Sequence, residues 1–121
     1  MREIKFRAWD KENEKMMKVS SLHLENKEIS VKENGTFRLF RMQNLMQYTG
    51  LKDKNGKEIY EGDVVKLVHF KDGRKKETGK VIFLHSQAGF GIIDRDGNEY
   101  PLFRNTAKQI EIIENIQENK R

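Results

Sequence analysis

The side chains able to carry chemistry in this sequence are three histidines, scattered carboxylates and one basic run. His23, His69 and His85 share no ligand spacing. A metal site or a general base needs partners within coordination or hydrogen-bond reach, so structural or surface roles are expected for all three. Asp94-Arg95-Asp96-Gly97-Asn98-Glu99 superficially resembles a calcium loop. Its Gly falls at loop position four and Asn105 at position twelve, where an EF-hand needs Gly at six and a bidentate Glu at twelve. Asp53-Lys54-Asn55-Gly56 fails in the same way, and both read as hairpin turns. Gly89-Phe90-Gly91 lacks the Lys-Ser/Thr pair and the helix of a phosphate loop. The absence of Cys excludes disulfides, thiolate zinc sites and thiol nucleophiles. No Ser-His-Asp or Ser-Lys arrangement stands out, so the sequence predicts neither catalysis nor a metal or other cofactor.

The basic run is Lys71, Arg74, Lys75 and Lys76, followed by Lys80. With Asp72 and Glu77 included, the segment nets +3. On a small β-domain such a loop could bracket a phosphate backbone while exposed aromatics stack on bases. Arg7, Arg38, Arg41 and Trp9 are the further candidates for a nucleic-acid or partner contact. A solvated loop tip is the competing reading, since loop tips are polar in any case. The whole chain carries 24 Lys and Arg against 19 acids, a net charge of +5. Residues 1–60 hold 13 of these bases against 9 acids and residues 61–121 hold 11 against 10, so the excess is not concentrated around the basic run.

The elements that must position these groups are short strands. Ile4, Phe6 and Ala8 alternate with Lys5, Arg7 and Trp9, the period of a half-buried strand. Asp10–Asn13 reads as a turn and Met16, Met17 and Val19 as the return strand. Asn34-Gly35, between Ile29–Val31 and Phe37–Leu39, is the strongest hairpin signal, because both residues tolerate positive φ. Residues 45–48 fit a strand or a helical turn equally well. Val64–Phe70 is a clear strand, and a loop is expected over Lys71–Gly79. Strands follow at Lys80–Leu84, Phe90–Ile93 and Glu99–Phe103, with Pro101 marking an edge or strand end. Asn105-Thr106 could cap one helical turn before a last strand at Gln109–Ile113, and a polar tail closes the chain.

Ten-residue rhythm with Gly, Asn and Asp at the corners predicts a mainly β fold. The expected architecture is an N-terminal β-hairpin subdomain over residues 1–60 and a small SH3-like barrel over residues 61–121, packed as one compact unit. With 121 residues the chain can hold a core without staples. No apolar run is long enough to span a bilayer and no signal-peptide core stands out, so a soluble cytoplasmic protein without a membrane partner is expected.

Several stretches closely resemble a known family. They are Ile4-Lys5-Phe6-Arg7-Ala8-Trp9-Asp10, Met16-Met17, the long segment Leu45-Met46-Gln47-Tyr48-Thr49-Gly50 through Glu61-Gly62-Asp63-Val64-Val65-Lys66, and Ile112–Asn119. Together they are similar to the YopX family of phage and prophage proteins. Glu114 stands where that family commonly has Gly. The resemblance implies a mainly β fold with an SH3-type barrel and a phage or prophage origin, and it supplies no activity. The expected function is that of a phage accessory protein, not an enzyme. Its β-domain would bind a host or phage protein, or form a homo-oligomer; the alternative is a nucleic-acid-binding barrel.

Overall fold

A computed structural model describes residues 3–68 and 76–115 of the chain. Among them lie twelve strands and one single-turn helix. The fold is mainly β, as the alternation required. The chain divides into two compact units, Met1–Tyr48 and Thr49–Arg121. The sequence reading placed its boundary after residue 60. Residues 49–60 instead fold with the later part, because Ile59, fully buried, packs in one cluster with Val65, Val81 and Ile92.

In the first unit β1 (Phe6–Asp10) and β2 (Lys15–Lys18) form a hairpin with Asp10 opposite Lys15. Asp10 closes its turn: Oδ1 accepts the Glu12 and Asn13 N–H groups at 3.1 and 3.2 Å, and Oδ2 accepts Asn13 Nδ2 at 2.8 Å. Along the other side of β1 runs the start of β6 (Leu45–Lys52), with Phe6 opposite Gln47 and Ala8 opposite Leu45. The ambiguity over residues 45–48 thus resolves as strand.

A second sheet has the order β3-β4-β5, from β3 (Ser21–His23), β4 (Glu28–Glu33) and β5 (Thr36–Arg41). Asn34 and Gly35 join β4 to β5 with φ of 51° and 80°, the backbone that the two-residue turn demands. Ala8, Met17, Ile29 and Val31 form the buried cluster of this unit, with Val19, Leu22, Phe40, Met42 and Leu45 packed against it.

The second unit is built on a five-stranded antiparallel sheet of order β11-β10-β9-β8-β12. Its strands are β8 (Asp63–Val68), β9 (Lys76–Leu84), β10 (Gly89–Asp94), β11 (Glu99–Pro101) and β12 (Glu111–Asn115). The helix α1 (Arg104–Ala107) precedes the last strand, which returns to pair with the first. Ile112 lies opposite Val65, and Val81 opposite Ile92, which lies opposite Tyr100; with Val65 opposite Gly79, these make two neighbouring rows offset by two residues. Ile112, Val65, Val81 and Ile92 with Ile59, Leu102, Ala107 and Ile110 form the core. Burying each of the large aliphatic side chains is worth about 1.5–3 kcal/mol. The short β7 (Glu58–Tyr60) adds Ile59 to that core, and Thr49 Oγ1 donates to the Ile59 carbonyl at 2.8 Å.

Three local expectations change. Of the loop forecast over Lys71–Gly79, residues 71–75 lie outside the described residues and 76–79 are strand: β9 begins at Lys76 and pairs Thr78 with Lys66 and Lys76 with Val68. Cross-strand pairing outweighs the polar composition of Lys76–Lys80. Asn105 and Thr106 do not cap α1 from outside; they lie within it, Phe103 is the N-cap, and no side chain caps the helix. The last strand begins at Glu111 rather than Gln109. One other expectation takes concrete form. Pro101 sits on the outermost strand β11. Gly91 marks a close approach: a Cβ there would meet the Tyr100 carbonyl oxygen at 2.7 Å and collide with the Leu84 side chain.

Candidate functional site

The carboxylates that resembled ligands are occupied by their own backbone. Asp94 Oδ1 accepts the N–H groups of Asp96 and Asn98 at 3.0 and 2.8 Å, while Oδ2 accepts Asn98 Nδ2 and the Tyr100 hydroxyl. Burial raises the Asp94 pKa, but the hydrogen bonds from Asn98, Tyr100 and Asp96 more than offset it and hold the carboxyl below its ordinary value. Asp53 is built the same way. Its Oδ1 takes the Asn55 and Lys57 N–H groups at 2.8 and 2.9 Å, and its Oδ2 reaches the Ile112 N–H at 3.0 Å. Burial opposes ionisation of Asp53 too, and the donors from Ile112, Lys57 and Asn55 again leave its pKa lowered. Asp63 accepts the Tyr60 N–H at 2.8 Å. These buried acids fasten turns. Among the described residues no group of three or more His, Asp or Glu side chains could hold a metal ion.

The histidines are placed apart. His23 Nε2 lies 3.3 Å from Ser21 Oγ on β3, and the His85 ring meets Phe83 edge-on at 5.2 Å in the second unit. His69 lies outside the described residues, as do Lys71, Arg74 and Lys75 of the basic run. Lys76 opens β9. Trp9 and Arg7 project from one side of β1, both half-buried, with Met16 opposite Trp9 and Lys18 and Met46 opposite Arg7. The Trp9 N–H donates to the Asn44 carbonyl at 3.2 Å, so that stretch of strand is tied down locally. Within the first unit, Arg38 and Arg41 come together on β5, at an odd spacing that points them to opposite faces.

Strand β5, Thr36-Phe37-Arg38-Leu39-Phe40-Arg41, stands out from every other element. Phe37 and Leu39 are each 61% exposed, and only Phe40 is drawn toward the core. Phe37, Leu39 and Arg41 share the outer face; Arg38 and Phe40 share the inner one, where the Arg38 guanidinium lies 5.1 Å from the Phe40 ring centroid. On the outer face the Lys32 ammonium lies 5.8 Å from the Phe37 ring. Glu33 pairs with Lys15 at 2.9 Å and with Arg38 at 3.1 Å, and these two hydrogen bonds, Lys15 first, lower its pKa. Arg41, opposite Glu28, borders a shallow depression of about 550 Å³ with Asn26, Lys27, Glu28 and Met42.

β5 is also a sheet edge. Met42 N–H donates to the Lys27 carbonyl at 2.8 Å, directly beyond the Glu28–Arg41 pair. Antiparallel pairs alternate between bonded and non-bonded. Phe40, Arg38 and Thr36 therefore bond to β4, while Phe37, Leu39 and Arg41 turn their N–H and C=O groups away from it. Sequence reasoning found Arg38 and Arg41 but missed Phe37 and Leu39. With apolar residues at 37, 39 and 40, the strand's own pattern does not say which side faces water.

With this geometry in view, the family model described as YopX protein matches residues 5–121. The chain belongs to the YopX family. A solved structure similar to this YopX-family chain is that of protein EF1440 from Enterococcus faecalis, at 24% identity and a TM-score of 0.67. The match covers 98% of this chain and 96% of that one, and it shows the fold alone. No curated protein matches significantly. Among the described residues no helix is long and apolar enough to cross a membrane.

Proposed function

We propose that this YopX-family chain is a non-catalytic protein-interaction module, a phage accessory protein acting in the bacterial cytoplasm, and that β5 is its docking edge. It accepts an extended protein segment as an added strand. The observation that carries the reading is an outermost strand exposing Phe37 and Leu39 at 61% each. Exposed large apolar residues beside unpaired backbone groups recruit another strand. The second unit, read as a small SH3-like barrel from its strand order and the helix before its last strand, serves as a carrier.

A nucleic-acid reading has support from Phe37 lying beside Lys32 on a strand that also carries Arg38 and Arg41. It is weaker because Arg38 is already neutralised by Glu33 and Arg41 faces Glu28. A peptide-display selection on immobilised protein tests the proposal. Extended peptides with alternating apolar side chains should be enriched on the native chain and lost on Leu39→Lys. Equal enrichment on both proteins, or none on either, overturns the reading. Salt-sensitive binding of single-stranded DNA or RNA, in place of peptides, would replace it.

A further inference from the structure

We infer that the segment β5 receives is β5 of a second copy, paired antiparallel about a two-fold axis through Leu39. The inference rests on the reading of β5 as an interaction edge and names its occupant. Its first support is the hydrogen-bond phase. Phe37, Leu39 and Arg41 present outward N–H and C=O groups, as the Met42–Lys27 bond requires. A two-fold axis at Leu39 places Leu39 opposite its own copy and Phe37 opposite Arg41. All three outward positions then fall in bonded pairs, and each pair exchanges both of its N–H···O bonds.

The second support is side-chain complementarity. On the outer face Leu39 meets Leu39 and the Phe37 ring meets the Arg41 guanidinium on both sides of the axis. On the inner face Arg38 comes opposite Phe40, repeating between copies the stacking that the chain already makes within itself at 5.1 Å. No like charges stand opposite one another. Shifting the axis to Arg38 would set two guanidinium groups face to face, which is destabilising. Shifting it to Phe40 would run the pairing past the end of β5, beyond Arg41. The Leu39 register pairs residues 37–41 within the strand, leaves only Thr36 past its end, and sets every arginine beside an aromatic ring. Two copies joined this way turn two three-stranded sheets into one of six strands and cover both exposed edges.

Sedimentation velocity of the full chain over a range of concentrations, with single-cysteine cross-linking, tests the register. The native chain should associate as a dimer. Leu39→Pro should dissociate it, weakening association at least about a hundredfold through the lost bonds and the misfitted leucine pair. Its fold should survive, because the Leu39 N–H points away from β4; an unchanged far-ultraviolet spectrum checks this, and Leu39→Lys serves as the second variant. The chain has no Cys of its own. Paired Cα atoms in a bonded pair lie about 5.5 Å apart, within disulfide reach. Leu39→Cys should therefore oxidise to a covalent dimer far faster than Arg38→Cys or Arg41→Cys. A native chain that stays monomeric, or equal cross-linking at all three positions, overturns the inference. If the chain is monomeric while the display selection still yields β5-dependent peptides, the docking edge stands and only its self-pairing falls.

Discussion

β5 of the first unit and β11 and β12 of the second are all outermost strands, yet their sequences treat that position differently. β11 has three residues, one of them Pro101, which has no N–H to offer a new neighbour. β12 carries Glu111 and Glu114, and its register slips between Ile112 and Glu114 where it pairs with β8. Short length, proline, charge and a bulge are the means by which sheets deter unwanted pairing. β5 is six residues long with no proline and no bulge, and its charges, Arg38 and Arg41, accompany the exposed Phe37 and Leu39 without replacing them. Its register with β4 runs unbroken from Glu28–Arg41 to Glu33–Thr36, and it displays two exposed apolar side chains. The outermost strands of the second unit carry these guards, and β5 of the first carries neither proline nor bulge.

Substitutions that disturb the guarded edges should weaken the second unit, and those near β5 should matter less to stability. The largest loss is expected at Gly91, where a side chain meets the Tyr100 carbonyl and Leu84. Gly91→Ala should cost about 3 kcal/mol in urea unfolding, because β11 must move outward. An unchanged midpoint would show that the β10–β11 contact is looser than its spacing indicates.

Next comes Asp53, whose Oδ2 holds the Ile112 N–H just before the β12 bulge. Asp53→Ala should cost about 2 kcal/mol by stranding buried donors. It should also speed amide exchange through Glu111–Asn115 relative to β4. Acid should act in the same direction. The Asp53 and Asp94 pKa values are lowered in the folded chain, so their stabilisation is full above the unfolded carboxylate range. It declines as pH falls below about 5 and is lost as each folded value is passed. Stability that rises on acidification through this range would contradict the roles given to both acids.

The smallest effect should follow Gly35→Ala. Its φ of 80° disfavours a side chain although the surrounding space is open. A loss of about 1 kcal/mol is expected, with β5 still exposed to a partner. A larger loss would mean that the turn, more than the β4–β5 ladder, holds the edge in place.

Much of the architecture could be read directly because turn residues report local backbone. Asn34-Gly35 forecast its positive φ pair, and Pro101 forecast an edge. Alternation marked β1, β8 and β10. What escaped was non-local. Lys76–Gly79 looks like a loop until β8 offers it a partner. Residues 49–60 looked like part of the first half until Ile59 finds Val65 and Val81. The candidate edge was half legible: the arginines announced themselves, whereas the exposure of Phe37 and Leu39 depends on where β4 ends up relative to β5. No local rule supplies that order.

The bond from Ile112 to Asp53 links residues 59 positions apart. During synthesis Asp53 leaves the ribosome with its turn donors nearby but with one oxygen still solvated. The second unit cannot finish its sheet until Ile112 arrives, so its cooperative closure waits for a residue 59 positions further along. The β4–β5 hairpin needs only its own neighbours and can form much earlier. The exposed strand β5 is thus in place before the sheet of the second unit can close.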